Sequence, residues 1–334
     1  MLDRREFVIG TSGLFLSVVA GSDLPLLSPL NKSLVNTEGE RSKISLVRTA
    51  DRASGIKKAI ELLGVNPVNG KEVLLKPNFN TADTYPGSTH NDTLVHLISL
   101  IKEMGAKDII IGERSGPPDT ADVMKKKGIY ELCRNLGVGL INFEELPPGG
   151  WVRVRPEKSH WRNGFDIAKP VLDSGCIVTT CCLKTHGYGG VFTMSLKLSV
   201  GMTHKRNMTE LHTSFRSMRK MIAEINQVYK PSLIILDGIE AFVDRGPMEG
   251  ERKRADVIIA GTDRVAADAV GLAVLKEIGS NKAIMGKKIF EQEQIARAVE
   301  IGLGATGPER IEIVTGDQES KGYADKLRAI LLRG

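Results

Sequence analysis

The chain has 334 residues, of which 41% are hydrophobic, 26% charged and 5% aromatic, an ordinary globular composition that excludes collagen-like, disordered and miniature disulfide-scaffold classes. Its 46 Lys and Arg outweigh 40 Asp and Glu for a formal charge of +6. That surplus is spread along the chain with no basic tail or aromatic-interleaved patch, so an anionic small ligand accounts for it as readily as a nucleic acid does.

The first residues, Asp3-Arg4-Arg5-Glu6-Phe7-Val8, precede an uncharged stretch from Ile9 to Gly21 rich in Gly, Ser, Leu, Val and Ala. This resembles a twin-arginine export signal. The charged start, the apolar run of about a dozen residues and the small-residue site at Val18-Val19-Ala20 match an export-peptide layout, too short to span a bilayer as a mature helix. Residues 1–21 are therefore expected to be a signal peptide cut near Ala20. No later segment has about 18 consecutive apolar residues, so the sequence predicts an exported protein, periplasmic or extracellular, whose first partner is the twin-arginine export machinery.

From about Ser22 to Ser42 the chain is polar and reads as a linker. Short apolar, β-branched runs then alternate with amphipathic helical patterns, each unit closed by Gly or Pro. Lys43 to Val47 is strand-like, Arg52 to Leu63 helical, Lys71 to Leu75 a buried strand, Thr93 to Met104 a helix and Asp108 to Gly112 a strand. The stretch from Pro147 to Pro170 breaks this rhythm. Within it Trp151-Val152-Arg153-Val154 alternates with period two, which predicts an inserted hairpin or flap at about 147–170. Cys176 to Thr180, Leu233 to Leu236 and Val257 to Ala260 repeat the strand signature, with helices at Met218 to Val228 and Arg264 to Ile278. The alternation predicts an α/β domain over 43–334: a mostly parallel sheet, helices on both faces and a small inserted β element. Cys133, Cys176, Cys181 and Cys182 are too few for a disulfide framework and form no Cys-x-x-Cys, so buried, inert thiols are expected.

In such sheets ligands sit beyond the carboxyl ends of the strands. Val73-Leu74-Leu75 runs into Lys76-Pro77-Asn78. Ile177 to Thr180 leads through Cys181-Cys182 into Leu183-Lys184-Thr185-His186 and a glycine loop, with Ser195, Lys197, Gly201 and His204 behind. Leu236 runs into Asp237-Gly238-Ile239-Glu240, followed by a loop from Asp244 to Gly250. After Ala260, Thr262 or Asp263 caps a helix and Asp268 follows five residues on from Asp263.

Lys76, Lys184 and Lys197, with Asn78, are candidates to cradle a phosphate or carboxylate, because ammonium groups in a half-buried crevice supply charge and hydrogen-bond donors. His186 is a candidate general acid or base beside Lys184, since an imidazole of ordinary pKa titrates near neutrality. His186, His204 and His212, joined by a carboxylate such as Asp237, are alternatively a nitrogen–oxygen site for zinc, iron or nickel, although their spacing matches no short signature. Asp237 is also a candidate to bind a cation or a sugar hydroxyl, or to make turn contacts. Gly246 and Gly250 could turn amides toward an anion without Walker or Rossmann spacing.

The ordered series Lys76-Pro77-Asn78, Lys184-Thr185-His186, Asp237-Gly238-Ile239, Gly246-Pro247 with Gly250, and Asp263 through Asp268 resembles the domain-of-unknown-function family numbered 362, from about Val47 to Gly279. That resemblance implies frequent association with ferredoxin-like iron–sulfur modules and an activity largely unassigned. This chain has no cluster-binding cysteine run, so no iron–sulfur cluster is expected within it and a redox role implies a separate redox partner. Lys197-Leu198 stands where the family tends to show Lys-Asn. Two readings stay open. One is an exported enzyme acting on or binding an anionic small molecule, metal-assisted or redox-linked. The other is a noncatalytic periplasmic ligand-binding or cofactor-handling protein. Nucleic acid is not expected, because no stacking platform accompanies the basic residues.

Overall fold

In the computed structural model residues 41–334 are described; the expected export signal and the linker through residue 40 lie outside them. The order begins with β1 (Ser42–Arg48), α1 (Arg52–Leu63), β2 (Glu72–Lys76), α2 (Asn91–Glu103), β3 (Asp108–Glu113), α3 (Thr120–Lys126), α4 (Ile129–Leu136) and β4 (Gly139–Asn142). β5 (Trp151–Val154) and β6 (Phe165–Ala168) pair as a separate antiparallel hairpin, as the period-two insert predicts, and α5 (Lys169–Asp173) leads to β7 (Ile177–His186). Then come β8 (Val191–Thr193), α6 (Ser195–Leu198), α7 (Asn207–Thr213), α8 (Met218–Ile225), β9 (Leu233–Arg245), β10 (Gly250–Gly261) and α9 (Arg264–Glu277). α10 (Lys282–Met285), α11 (Glu293–Glu300), β11 (Ile311–Val314) and α12 (Gln318–Arg333) complete the chain.

The main sheet runs β11-β1-β10-β9-β7-β2-β3-β4, with β8 paired to β7. Along the main path only β10 is antiparallel to its neighbours; β8 is antiparallel to β7. The fold is thus α/β with a mostly parallel sheet. Alternation along the strands divides the core by face, since successive side chains point to opposite sides. Ile44 and Leu46 of β1, Ile234 and Leu236 of β9, and Val257 and Ile259 of β10 pack with α9 and α12. Val47, Leu233, Ile235, Ile258 and Ala260 face the other way, onto α1 and α2. A third cluster joins Leu74 and Ile177 to the inserted hairpin and α8.

Local signals set the helix ends. Asp51 caps α1 by accepting from Ser54 N, and Gly64 closes it in the left-handed region. Of the two candidate caps of α9, Asp263 takes the role, accepting from Val265 N and Ala266 N. The expected loop from Asp244 to Gly250 is shorter: β9 continues to Arg245 and β10 starts at Gly250, because the two strands pair antiparallel through polar residues. Among the described residues, no helix is long and apolar enough to cross a membrane. All four cysteines are free and buried.

Candidate functional site

The strand order reverses between β2 and β7. From β2 the chain moves outward through β3 to β4, then returns to lay β7 on the other side of β2 and β9 beyond it. Ligand crevices of doubly wound sheets form at this kind of switch point. A cavity of about 640 Å³ opens there, bordered by Lys76, Asn78, Glu113, Lys184, His186 and Lys197 among others.

Lys76 ends β2 and is 1% exposed. Its Nζ lies 2.5 Å from Glu113 Oε1 and donates to Pro77 O at 2.7 Å. Glu113, at the end of β3, also accepts from Phe79 N at 2.7 Å and Arg114 N at 2.9 Å. Burial pushes the lysine down and the carboxyl up, while their contact opposes both shifts. Lys184 is completely buried. It donates to Asn78 Oδ1 at 3.1 Å, Pro247 O at 3.2 Å and Gly87 O. An ammonium has three hydrogens, so Lys184 brings charge to the cavity but no spare donor. Arg114 is similarly engaged, with Thr203 O at 2.9 Å, Ser115 O at 2.8 Å and Val200 O, and burial lowers it to about 10.

Lys197 differs. It stands on α6, lines the cavity, and its side-chain amine makes no hydrogen bond or ion pair among the described residues. Burial, with Lys184 and Arg114 adding repulsion, lowers it from 10.5 to about 7. The helix carrying it is anchored by Asp268 of α9, whose oxygens accept from Ser195 N at 2.7 Å and Leu196 N at 3.0 Å. Burial raises Asp268 to about 7, although those two amides pull it the other way.

His186 accepts at Nδ1 from Gly190 N at 3.3 Å, which assigns the ring proton to Nε2. Burial, then Lys197 and Lys184, hold its pKa well below the usual range. The expected acid–base histidine is therefore a neutral imidazole with a donor on Nε2. Two more polar groups border the cavity without protein partners among the described residues: the buried Thr193 Oγ1, and the amide nitrogen of Asn78, whose oxygen serves Lys184. Tyr188 sets its ring edge-to-face on His186 at 6.0 Å between centroids.

The three histidines expected to share a metal do not converge. His204 packs its ring against Trp151 at 4.7 Å and accepts at Nδ1 from Arg206 N, outside the cavity. Its backbone N–H is bonded to Asp166 O of β6, which turns this segment toward the inserted hairpin. His212 stands exposed at the rim with Nδ1 on Met208 O at 2.7 Å. Among the described residues no group of three or more His, Cys, Asp or Glu is placed to hold a metal.

Asp237 is also outside the cavity lining. It accepts from Arg52 Nε at 2.8 Å, Tyr85 Oη at 2.7 Å and Thr93 Oγ1 at 2.6 Å. Gly246 has φ +66°, a left-handed value, and a Cβ there would lie 2.2 Å from Thr185 O. Its amide donates to Glu249 O at 2.8 Å, and Gly250 pairs with Arg245. These glycines shape the turn that sets Pro247 and Met248 on the cavity wall, and the Gly246 amide is not free for an anion. The sequence reading passed over Glu113 and Arg114, although both directly follow the strand at Asp108 to Gly112, where the strand-end rule applies. Thr193 carries no signal in the sequence.

Comparison with known proteins finds the thylakoid-associated protein sll1697 of Synechocystis sp., 26% identical over 250 residues, 70% of this chain and 74% of that protein. Among solved structures, the lactate racemase apoprotein from Thermoanaerobacterium thermosaccharolyticum aligns with a TM-score of 0.42 and 12% identity, covering 88% of this chain and 87% of that one. A Thermotoga maritima protein aligns with a TM-score of 0.42 and 15% identity, over 68% of this chain and 56% of its own. The sequence profile described as "Domain of unknown function (DUF362)" matches residues 73–273. With more than half of its length matched, and with the Lys76, Lys184 and Asp237 series inside the match, the chain belongs to the DUF362 family.

Proposed function

We propose that this protein is an enzyme that takes a small organic anion into the cavity at the β2/β7 switch point. The observation that carries this reading is Lys197: an amine with no partner among the described residues, bordering a cavity whose other cations, Lys76, Lys184, Lys205 and Arg114, are already bonded to protein oxygens. The fixed cations supply attraction for an anion. The Nε2–H of His186, Thr193 Oγ1 and the Asn78 amide supply donors that the protein leaves unused, and Lys197 is the group able to exchange a proton near neutrality. Export by the twin-arginine route belongs to the same proposal and rests on residues 3–20 alone; N-terminal sequencing of the protein recovered from the periplasm tests it.

Binding is tested by calorimetry with acetate, pyruvate, succinate and inorganic phosphate, on the wild type and on Lys197→Met. The expected result is saturable binding of at least one of these anions, weakened at least tenfold in the variant. No saturable binding of any of them, or equal affinity in the variant, overturns the reading. A noncatalytic carrier is separated by His186→Gln: an enzyme loses turnover of the bound anion, whereas a carrier changes only in affinity.

A further inference from the structure

We propose that Lys197 captures the carbonyl carbon of a small oxo-acid, such as a 2-oxo carboxylate, as an imine. This rests on the anion-binding reading of the cavity and names its substrate class. An amine attacks a carbonyl only through a free lone pair, so it must be neither protonated nor engaged with an acceptor. Lys76 is held by Glu113 and Pro77 O, Lys184 by three oxygens, and Lys205 by Glu144 Oε1 at 2.7 Å and Pro118 O at 3.1 Å. Of the four lysines on the cavity wall, Lys197 alone has no such partner among the described residues. Burial, and after it the neighbouring positive charges of Lys184 and Arg114, disfavour its ammonium form.

The second requirement is a donor for the departing oxygen, and His186 meets it. A methyl built on Gly190 would lie 2.9 Å from His186 Nδ1 and 3.0 Å from Lys197 Cε, so imidazole and lysine stem flank the same glycine. With Nδ1 bonded to Gly190 N, the ring presents its proton on Nε2. The reaction is a condensation. The nitrogen lone pair forms the C–N bond while the carbonyl π pair moves to oxygen. The nitrogen then loses its two hydrogens and the oxygen leaves as water, so that amine and carbonyl give imine and water with nothing oxidised or reduced. The substrate carboxylate lies in the field of Lys76, Lys184 and Arg114, with Thr193 Oγ1 and the Asn78 amide available to it.

The test treats the folded full chain with pyruvate or glyoxylate and sodium cyanoborohydride at pH 7, followed by intact and peptide mass spectrometry. The hydride donor reduces the imine to a stable secondary amine. The expected result is one adduct per chain on Lys197, at least tenfold faster than on any other lysine, absent from Lys197→Arg and Lys197→Met, and at least tenfold slower with uncharged methyl pyruvate. Circular dichroism and thermal melting establish that both variants are folded. Labelling spread over surface lysines, or undiminished labelling in both variants, overturns the proposal. Calorimetric pyruvate binding without any trapped adduct overturns the imine and leaves the anion site standing; absence of both binding and adduct overturns the two together.

Discussion

Lys184 and Lys197 look alike in the sequence, yet only one has hydrogens to spare. The strand-end rule selected Lys76 and Lys184 because each follows a buried strand, and both do reach the cavity. What it could not supply is their acceptors. Gly87 O, Asn78 Oδ1 and Pro247 O come from segments 63 to 106 positions away from Lys184, and only the folded chain brings them together. Lys197 sits between Lys184 and His186 of β7 and Arg114 after β3, with the Lys76–Glu113 pair, Lys205 and His212 on the same cavity wall. Its depressed pKa has a measurable sign. The neutral amine is the nucleophile and predominates above the pKa, so modification of Lys197 by trinitrobenzenesulfonate rises with pH and levels off just above 7. Ordinary lysines rise toward about 10.5. A peptide-resolved pH profile with the Lys197 midpoint at the ordinary value would remove the argument for a free amine.

At the scale of elements, the helix that carries Lys197 is only four residues long, Ser195–Leu198. Isolated helices of that length do not hold themselves together in water, so its position depends on the contacts it makes. Asp268, reaching across from α9, takes both of its leading amides. Asp268→Ala leaves two buried N–H groups without acceptors and is expected to lower the unfolding free energy by about 3 kcal/mol. It should also raise the labelling midpoint of Lys197 toward the ordinary lysine range as the helix loosens and admits water. Asp268→Asn, which keeps one acceptor, should recover part of both effects. A stability loss with an unchanged Lys197 midpoint would make Asp268 structural only. The sequence shows Asp268 following the cap Asp263, but not that it faces α6, since that contact spans 73 positions. The same limit explains the β9–β10 hairpin. The outer half of β10 is polar from Glu251 to Arg254, and in β9 Asp237-Gly238 interrupts the apolar run before Ile239, Ala241, Phe242 and Val243 resume it, so the apolar runs that mark the two strands stop short of their ends. Backbone pairing carries them on to the turn that delivers Pro247 to Lys184.

Across the chain, the alternation of strand-like and helical patterns made the layered arrangement legible, because the buried strands show apolar residues to both faces while α1 and α2 show one apolar stripe and α9 is buried all round. Polar junctions between layers were not legible, and Asp237 is the clearest instance. In the sequence it follows the apolar run Leu233 to Leu236, which is why it resembles a strand-end site residue, but β9 continues through it to Arg245. In the folded chain it receives Arg52 from the start of α1, Thr93 from the first turn of α2 and Tyr85 from the intervening loop, across separations of 185, 144 and 152 positions. Arg52 also stacks over the Tyr85 ring at 4.5 Å. The carboxylate thus fastens one helical layer and the 80–90 loop to the sheet. That loop in turn offers Gly87 O to Lys184, so the anchor supports the cavity from outside it. Removing one partner of such a buried pair leaves the other charge uncompensated, and Asp237→Ala is expected to cost about 3 kcal/mol. The measurement is a urea unfolding midpoint taken together with anion binding below the transition. A lowered midpoint with binding retained identifies Asp237 as this anchor. An unchanged midpoint with binding lost would return it to the ligand site, where its position after β9's apolar run first placed it.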